Sequence, residues 1–167
     1  AIDSFSLMLG LTIEDFESGG FNTFAWGFEH QEDWVIESFF PYEGLFSARS
    51  GRITHNMMSS LILDIEVFEE GAVGFYKRVS CEDDENNDNF DYLAFLVDGI
   101  EQARWDGESE WSHEQFQVAT GYHRLEWRYR KDSTVSRGYD CAWIDYVSLP
   151  SSTDIINTLQ YEPESVH

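Results

Sequence analysis

Strict alternation between apolar and polar side chains marks two long stretches of the chain. Residues 61–67 place Leu61, Leu63, Ile65 and Val67 on one face and Asp64 and Glu66 on the other. Residues 123–130 place a histidine, a leucine and two large aromatics opposite three arginines and a glutamate. A period of two residues is that of a β-strand with one buried face. Outside the last 17 residues, no segment has the 3.6-residue period of a long helix. The sequence therefore predicts an all-β protein.

Turn signals divide the rest of the chain into further short strands. Asp98-Gly99, between YLAFLV and IEQARW, is typical of a type I′ hairpin turn, because both residues tolerate positive φ. Pro150 ends the last strong strand, since proline has no amide proton for a ladder. We expect a two-sheet antiparallel β-sandwich of jelly-roll topology over residues 13–150. Residues 1–12 are interpreted as a linker remnant or first strand, and residues 151–167 as a tail or linker.

The charge balance excludes several classes of partner. The 32 acidic against 10 basic residues give a net charge of −22, a field that repels phosphate backbones and anionic lipid. The sequence therefore argues against nucleic acid and acidic polysaccharide. No apolar run approaches the roughly 20 residues of a membrane-spanning helix, so membrane insertion is also excluded.

The two cysteines, Cys81 and Cys141, have neither CxxC nor zinc-finger spacing. They are either two buried free thiols or one disulfide. A disulfide would close a loop of about 60 residues and contribute roughly 4 kcal/mol. We favour the disulfide.

A loop of unusual acidity, CEDDENNDNFD, spans residues 81–91. Its Asp88, Asn89 and Asp91 offer alternating oxygen ligands that suit calcium, although the loop is not an EF-hand. The alternative is a solvated loop without an ion.

Tryptophan positions indicate where a ligand would bind, because sugar rings stack on exposed aromatic faces. Trp105 and Trp111 flank the turn DGESE and are predicted to form an exposed binding pair. Trp26 and Trp34 are the second choice. Trp127 and Trp143 lie in the inward register of strong strands and are predicted to be core residues. The arginines of residues 124–130 either bind an acidic partner or, as we favour, pair with carboxylates on neighbouring strands.

Catalytic motifs are missing from the sequence. Asp64 and Glu66 share a strand face, as do Glu108 and Glu110, but neither pair forms the E-x-D-x-E series of jelly-roll glucanases. G-x-S-x-G and H-E-x-x-H do not occur. His123 is interpreted as a packed side chain rather than a base. The sequence thus favours a protein that is not an enzyme.

An ordered series of phrases over residues 13–150 carries a family resemblance. The phrases are DFESGGFNTFAW, YEGLFSARSGRI, SSLILDIEV, GAVGFYKRVSCE, FDYLAFLVDGIEQARWDGESEW and GYHRLEWRYRKDSTVSRGYDCAWIDYVSLP. Together they resemble the cleaved-adhesin domains of gingipain-type proteases and, more distantly, the MAM-like jelly rolls. The resemblance implies a non-catalytic accessory module of a larger secreted or cell-surface bacterial protein.

The resemblance also implies structural calcium. In jelly rolls of this kind, a carboxylate of the first strand and one of the last strand hold an ion together. In this sequence those positions are Asp15 or Glu17, and Asp145; the alternative is that Asp145 only accepts backbone hydrogen bonds.

The sequence thus leads to one functional hypothesis with two alternatives. The expected function is binding or adhesion, with a neutral glycan or a protein surface as ligand and neighbouring domains of the parent protein as partners. A structural spacer beside a catalytic domain is the first alternative, and a small glycosidase the second.

Overall fold

The computed structural model describes residues 12–82, 90–133 and 138–155, and every regular element in these ranges is a strand. The strands are β1 (Thr12–Glu14), β2 (Gly27–His30), β3 (Val35–Glu37), β4 (Ser47–Arg49), β5 (Met58–Val67), β6 (Gly71–Ser80), β7 (Tyr92–Val97), β8 (Ile100–Trp105), β9 (Ser112–Val118), β10 (Gly121–Arg130), β11 (Cys141–Leu149) and β12 (Ser152–Asp154). In the described part of the chain, no helix is long and apolar enough to cross a membrane.

The strands form two antiparallel sheets that pack face to face. Sheet A has the order β3-β4-β11-β6-β9, with β1 paired to β11; sheet B has the order β12-β5-β10-β7-β8, with β2 paired to β5. The predicted all-β sandwich of jelly-roll type is confirmed.

The core lies between the sheets and is built from the alternating residues of the long strands. In sheet B the inward residues include the predicted face of β5 together with Leu125, Trp127 and Tyr129 of β10. In sheet A, Val73, Phe75 and Val79 of β6 face them. The ring of Phe75 lies 5.0 Å from that of Phe95 and 5.5 Å from that of Trp127, so aromatic contacts join the two sheets.

A bulge in β11 changes which side chains face inward. Ala142 and Ile144 belong to the core, as do Val147 and Leu149, so the alternation shifts by one residue between them. The register against β6 is interrupted between residues 145 and 148, where Tyr146 has a φ of 50°. Trp143 was predicted to be buried on the same inward face as Val147; its burial is confirmed at 1% exposure, but the predicted register is wrong, because the bulge places it on the outer face. Trp127 is confirmed as a core residue.

Two other local predictions concern chain turns and ends. Asp98 and Gly99 have φ values of 55° and 80° between β7 and β8, which confirms the predicted hairpin. Residues 152–154, which the sequence left unassigned, form β12 and pair with β5.

The predicted disulfide between Cys81 and Cys141 is wrong, because both cysteines are free and buried. Cys141 pairs with Ser80 across β11 and β6, so Cys81 is one residue out of register with it. Side chains alternate between the faces of a sheet, and the thiols therefore point in opposite directions. Cys81 belongs to the core, whereas Cys141 lines a cleft on the outer face of sheet A.

Candidate functional site

The outer face of sheet A carries a nearly continuous layer of aromatic side chains. The loop of residues 38–46 crosses this face and lays its aromatic rings over β11 and β6. Phe40 contacts Trp143 edge-on at 5.7 Å, and the guanidinium of Arg78 lies 4.2 Å from the centre of the Phe40 ring. The resulting cation–π contact attaches the loop to β6.

At one end of this layer is a cleft of about 250 Å³, which we call the aromatic cleft. Phe39 and Tyr139 are each 56% exposed, an unusual degree of exposure for large aromatic rings, and their ring centres are 5.5 Å apart. The remaining lining residues are Glu37, Arg49, Arg52, Cys141 and Trp143. Aromatic walls with a few polar groups are the usual composition of a small-molecule site.

Polar groups of the aromatic cleft form hydrogen bonds with one another. Glu37 accepts a hydrogen bond of 2.9 Å from Nε of Arg49 and one of 2.6 Å from Nε1 of Trp143. Arg52 is exposed at the rim. Burial raises the pKa of Cys141 to about 12, so its thiol remains protonated. The cleft therefore presents fixed aromatic faces, two guanidinium groups and no reactive nucleophile.

A second aromatic group lies farther along the same face. Tyr42 stacks on Tyr76 with 3.7 Å between ring centres and 13° between planes, and Trp111 meets Tyr42 edge-on at 6.1 Å. His113 lies 4.8 Å from Tyr76. Loop 38–46 thus supplies rings to both groups.

The four tryptophans that were predicted to bind ligand do not lie together in the structure. Trp111 lies at the edge of the aromatic layer, but Trp105 packs inward against Phe75 at 6.1 Å, so the two do not form a pair. Trp26 and Trp34 are only 9% and 2% exposed, so neither ring offers a face to a ligand at the surface of this structure. Their indole nitrogens donate to Glu14 and to the Ser59 carbonyl, respectively, and both rings fill the interior.

Sequence reasoning missed the aromatic residues that do line the surface, which are Phe39, Phe40, Tyr42, Tyr76 and Tyr139. For Phe39, Phe40 and Tyr42, the signal was the run FFPYEGLF at residues 39–46, an apolar segment with neither strand nor helix periodicity. Such a segment cannot bury all of its rings in one layer, and an exposed cluster is the expected consequence.

Two predicted calcium ligands, Glu17 and Asp145, both hold loop 38–46 in place. The carboxylate of Glu17 accepts the amide protons of Leu45 and Phe46, each at 2.9 Å. Oδ2 of Asp145 accepts those of Tyr42 and Glu43 at 3.1 and 3.3 Å. The structure therefore brings these two carboxylates to the same loop.

The electrostatics of this region are unfavourable for a bare carboxylate at Asp145. Asp145 is completely buried, and burial raises its pKa to about 7 against the effect of the amide hydrogen bonds. The negative charge of Glu17, which is exposed, raises the pKa of Asp145 further. A divalent cation would favour the ionised form of Asp145. Carboxylate oxygens of the kind that both residues supply are the ligands that calcium prefers.

The third residue of this predicted set, Asp15, is exposed and accepts the amide proton of Glu17 in a local turn at 3.0 Å. The buried carboxylate of the first strand is instead Glu14, which the sequence analysis overlooked. It accepts hydrogen bonds of 2.9 Å from the Phe16 amide and from the Trp26 indole. Burial raises the pKa of Glu14 although these donors oppose the rise.

Of the predicted ligands in the acidic loop, Asp88 and Asn89 lie outside the described residues. Asp91 is fully buried, and its Oδ2 lies 3.0 Å from Nζ of Lys131. Oxygens of Glu82, Asp91 and Asp132 lie within 4.8 Å of one another. The ammonium group of Lys131 thus provides the counter-charge at Asp91 in this structure.

The outer face of sheet B carries several charged pairs. Arg124 bonds to Asp64 at 2.8 Å and to Glu29 at 2.9 Å, and Arg128 bonds to Glu126 at 2.9 Å. The prediction that the arginine stripe pairs with carboxylates on neighbouring strands is confirmed for Arg124, whereas Arg128 pairs with a carboxylate of its own strand. A depression of about 330 Å³ on this face is lined by Asp64, Asp98, Tyr122, His123, Arg124 and Ile155.

Comparison with known proteins gives matches in structure only. No protein-family model matches the sequence, and no curated protein resembles it significantly. The K1 cleaved adhesin domain of Lys-gingipain from Porphyromonas gingivalis W83 superposes with a TM-score of 0.60 at 11% identity, over 88% of this chain and 98% of that one. The module TmCBM61, solved in complex with β-1,4-galactotriose, superposes with a TM-score of 0.58 at 16% identity, over 81% and 94% of the two chains.

A third match is a segment of a larger enzyme. The secreted serine protease VesC from Vibrio cholerae superposes with a TM-score of 0.57 at 11% identity, over 90% of this chain but 27% of the protease. At these identities the matches establish the fold alone. They confirm the jelly-roll fold that cleaved-adhesin domains share, as the ordered sequence phrases predicted.

Proposed function

We propose that this protein is a non-catalytic carbohydrate-binding module that takes a neutral glycan on the outer face of sheet A. The observation that carries the proposal is the aromatic cleft, in which Phe39 and Tyr139 expose more than half of their surface beside Arg49, Arg52 and Glu37. The apolar faces of pyranose rings stack on such side chains, while guanidinium and carboxylate groups bond to the hydroxyls.

The fold comparisons support this reading over that of a protein ligand. One structural neighbour was solved with a neutral galactose trisaccharide, and another is an adhesin domain. A net charge of −22 also favours an uncharged ligand, because it repels polyanions. The glycosidase alternative has no comparable support, since the cleft contains a single carboxylate, Glu37, already bonded to Arg49 and Trp143.

The test is calorimetric titration with a panel of neutral oligosaccharides that includes β-1,4-galactotriose. We expect Phe39→Ala and Tyr139→Ala each to weaken binding about fivefold, since stacking contributes on the order of 1 kcal/mol per ring. Tyr122→Ala is the matched control, because Tyr122 is 71% exposed but lies on the face of sheet B.

Two results would contradict the proposal. If Tyr122→Ala and Tyr139→Ala weaken oligosaccharide binding equally, the aromatic cleft is not the site that binds the glycan. Failure of every oligosaccharide to bind the wild-type chain would favour the alternative of a structural spacer.

We also propose that calcium stabilises the module through Glu17 and Asp145, which meet at loop 38–46. The support is the burial of Asp145, the effect of the charge of Glu17 on it, and the oxygen donors that both supply. The ion would hold Asp145 ionised, and both carboxylates would continue to accept the loop amide protons.

Thermal unfolding in calcium and in chelator measures this stabilisation. Calcium at 100 times its dissociation constant stabilises a native state by about 2.7 kcal/mol, so the midpoint should rise by several degrees. Asp145→Asn should abolish the shift, whereas Asp64→Asn on the face of sheet B should retain it. An identical midpoint with calcium and with chelator in the wild-type chain would refute the calcium proposal but leave glycan binding untouched.

The location that we propose is the cell exterior, with the module attached to a larger protein. The match to a segment of a secreted serine protease supports this proposal, because there a similar fold occupies 27% of a larger secreted protein. Fractionation of the native protein would test it, and recovery in the cytoplasm would contradict it.

A further inference from the structure

A buried cluster of charged residues lies at the end of the sandwich where β10 leaves sheet B. Lys131 is 1% exposed and Asp91 is 0% exposed. Arg130 pairs with Tyr92 in the ladder between β10 and β7, so the next residues outward, Lys131 and Asp91, lie opposite each other. Their neighbours on the same strand faces, Tyr129 and Leu93, are core residues, and the pair therefore points between the sheets.

A second carboxylate reaches the same amine from the opposite sheet. Asp140 precedes β11 in sheet A, and its Oδ1 and Oδ2 lie 2.7 and 2.6 Å from Nζ of Lys131. Tyr129 donates its hydroxyl proton to Oδ1 of Asp140 at 3.0 Å. On the other side, Oδ2 of Asp91 lies 3.0 Å from Nζ, while its Oδ1 accepts the Asp132 amide proton at 2.9 Å.

This arrangement has the parts of an acyl-transfer site. Nζ of Lys131 lies 3.0 Å from Oδ2 of Asp91, so the amine is already in contact with the carboxyl group that it would attack, as proximity catalysis requires. Asp140 is placed to accept a proton from the amine. The Asp132 amide is placed to stabilise negative charge on Oδ1 of Asp91.

Charge considerations also favour reaction over a permanent ion pair. Keeping two ions out of water costs several kcal/mol per ion before their attraction offsets it, and a neutral amide avoids that cost. The ammonium group of Lys131 must give up a proton before the amine can attack, and carboxylate oxygens of Asp91 and Asp140 lie 3.0 and 2.6 Å from it, in position to accept that proton.

We propose that Lys131 and Asp91 condense in the folded protein to form an intramolecular amide bond that covalently ties the end of β10 to the start of β7.

The reaction needs no oxidant or added cofactor. A proton first passes from the ammonium group to the Asp91 carboxylate, which leaves a neutral amine and a neutral carboxylic acid. Nζ then attacks Cγ of Asp91, and the new N–C bond produces a tetrahedral centre whose negative charge lies on Oδ1. Asp140 takes one proton from the nitrogen and delivers it to the hydroxyl at Oδ2, the Cγ–Oδ2 bond breaks, and one water molecule leaves. The product amide keeps one proton on nitrogen, and its oxygen still accepts the Asp132 amide proton.

Burial makes this condensation feasible in spite of the surrounding solvent. A pair held in place reacts with an effective molarity on the order of 10⁵–10⁸ M, and the product forms where little water is available to reverse it.

The direct test is the intact mass of the purified full chain under denaturing conditions. We expect it to lie below the sequence mass by one water molecule in nearly all molecules. Trypsin digestion should then yield residues 79–104 joined to residues 131–137, because an acylated Lys131 is no longer cleaved. The tryptic peptides also distinguish this product from dehydration at Asp98-Gly99 or Asp106-Gly107, because a dehydrated Asp-Gly pair would stay within a single peptide.

The chain contains only two lysines, which provides a matched control. Lys77 is also buried and lies 3.0 Å from Glu114, but it lacks a second carboxylate within salt-bridge distance among the described residues. Lys131→Arg should restore the full mass, whereas Lys77→Arg should retain the loss. Asp140→Asn should leave most molecules unreacted in freshly prepared protein.

Three results would overturn the inference. A full sequence mass in the wild-type chain would show that the cluster is an ordinary ion pair, whatever the variants do. A loss of water that persists in Lys131→Arg would place the reaction elsewhere. If the Asp140→Asn variant loses water as fast as the wild-type chain does, Asp140 takes no part in the reaction.

Discussion

Asp98 shows how one exposed carboxylate can serve both a turn and a neighbouring strand. It occupies the hairpin turn after β7 with positive φ. Its Oδ1 accepts the Arg124 amide proton at 2.8 Å, and its Oδ2 lies 2.7 Å from Nδ1 of His123. Partial burial raises the pKa of Asp98, but the hydrogen bonds from Arg124 and His123 outweigh that effect and lower it overall. His123 is held between this carboxylate and the Ala119 carbonyl at 2.9 Å, which agrees with a packed histidine.

A carboxylate whose pKa is lowered by folding stabilises the native state above its unfolded pKa, and this contribution is lost as the pH falls through the folded value. Asp98→Asn should therefore destabilise the protein at pH 6 by about 0.5–1 kcal/mol, an amount limited by solvent screening. The difference between the two proteins should begin to shrink as the pH falls below about 4 and should vanish only below the lowered folded pKa of Asp98. Asparagine tolerates positive φ, so the turn itself is retained.

Urea unfolding of both proteins between pH 3 and pH 6 provides the measurement. If the free-energy difference between them is the same at every pH, the ionised form of Asp98 contributes nothing.

At the scale of elements, loop 38–46 decides whether the aromatic face exists. Its path depends on Gly44, which has a φ of 70°. A Cβ atom at this position would lie 2.5 Å from Cδ of Glu17, the residue whose oxygens accept the Leu45 and Phe46 amides. Both the backbone conformation and the close approach of the carboxylate thus require glycine here.

Gly44→Ala should displace the loop from Glu17 and lower stability by about 1–3 kcal/mol, the usual cost of a strained backbone position. Because the loop carries Phe39 and Tyr42, oligosaccharide binding should weaken as well. Gly20→Ala is the control, since a Cβ at Gly20 meets nothing closer than 3.9 Å and its φ is not positive. Thermal unfolding and calorimetric titration of both variants measure the effects, and equal behaviour of the two would contradict this role of Gly44.

At the scale of the whole molecule, the dominant property is the net charge of −22 on 167 residues. The eight arginines and two lysines cannot neutralise 32 carboxylates, and the folded chain therefore repels itself. Local pairs such as that of Arg124 with Asp64 reduce the repulsion only where they occur.

We expect added salt to stabilise the protein. Raising sodium chloride from about 0.02 M to about 0.5 M shortens the Debye length from roughly 20 Å to below 5 Å, which screens the repulsion between distant carboxylates. The unfolding midpoint in chelator should rise over this range. A midpoint that falls would show that the surface ion pairs contribute more to stability than the self-repulsion costs.

The sequence by itself determined the fold class, because strand alternation and turn residues depend only on near neighbours. The faces of β5, β6 and β10 and the turn at Asp98-Gly99 follow from a period of two residues and from the conformations that those residues tolerate. The ordered phrases from residue 13 to residue 150 identified the type of sandwich.

Only the tertiary structure decided which side chains meet. The bulge at Tyr146 shifts the alternation of β11 and so places Trp143 on the outer face. A strict period of two residues had predicted that it faces the core. A register offset of one residue separates Cys81 from Cys141. The aromatic cleft and the cluster around Lys131 join segments about 40 to 100 residues apart, as in the hydrogen bonds from Lys131 to Asp91 and from Trp143 to Glu37. Such contacts depend on how two sheets are registered and packed, which no local pattern in the chain encodes.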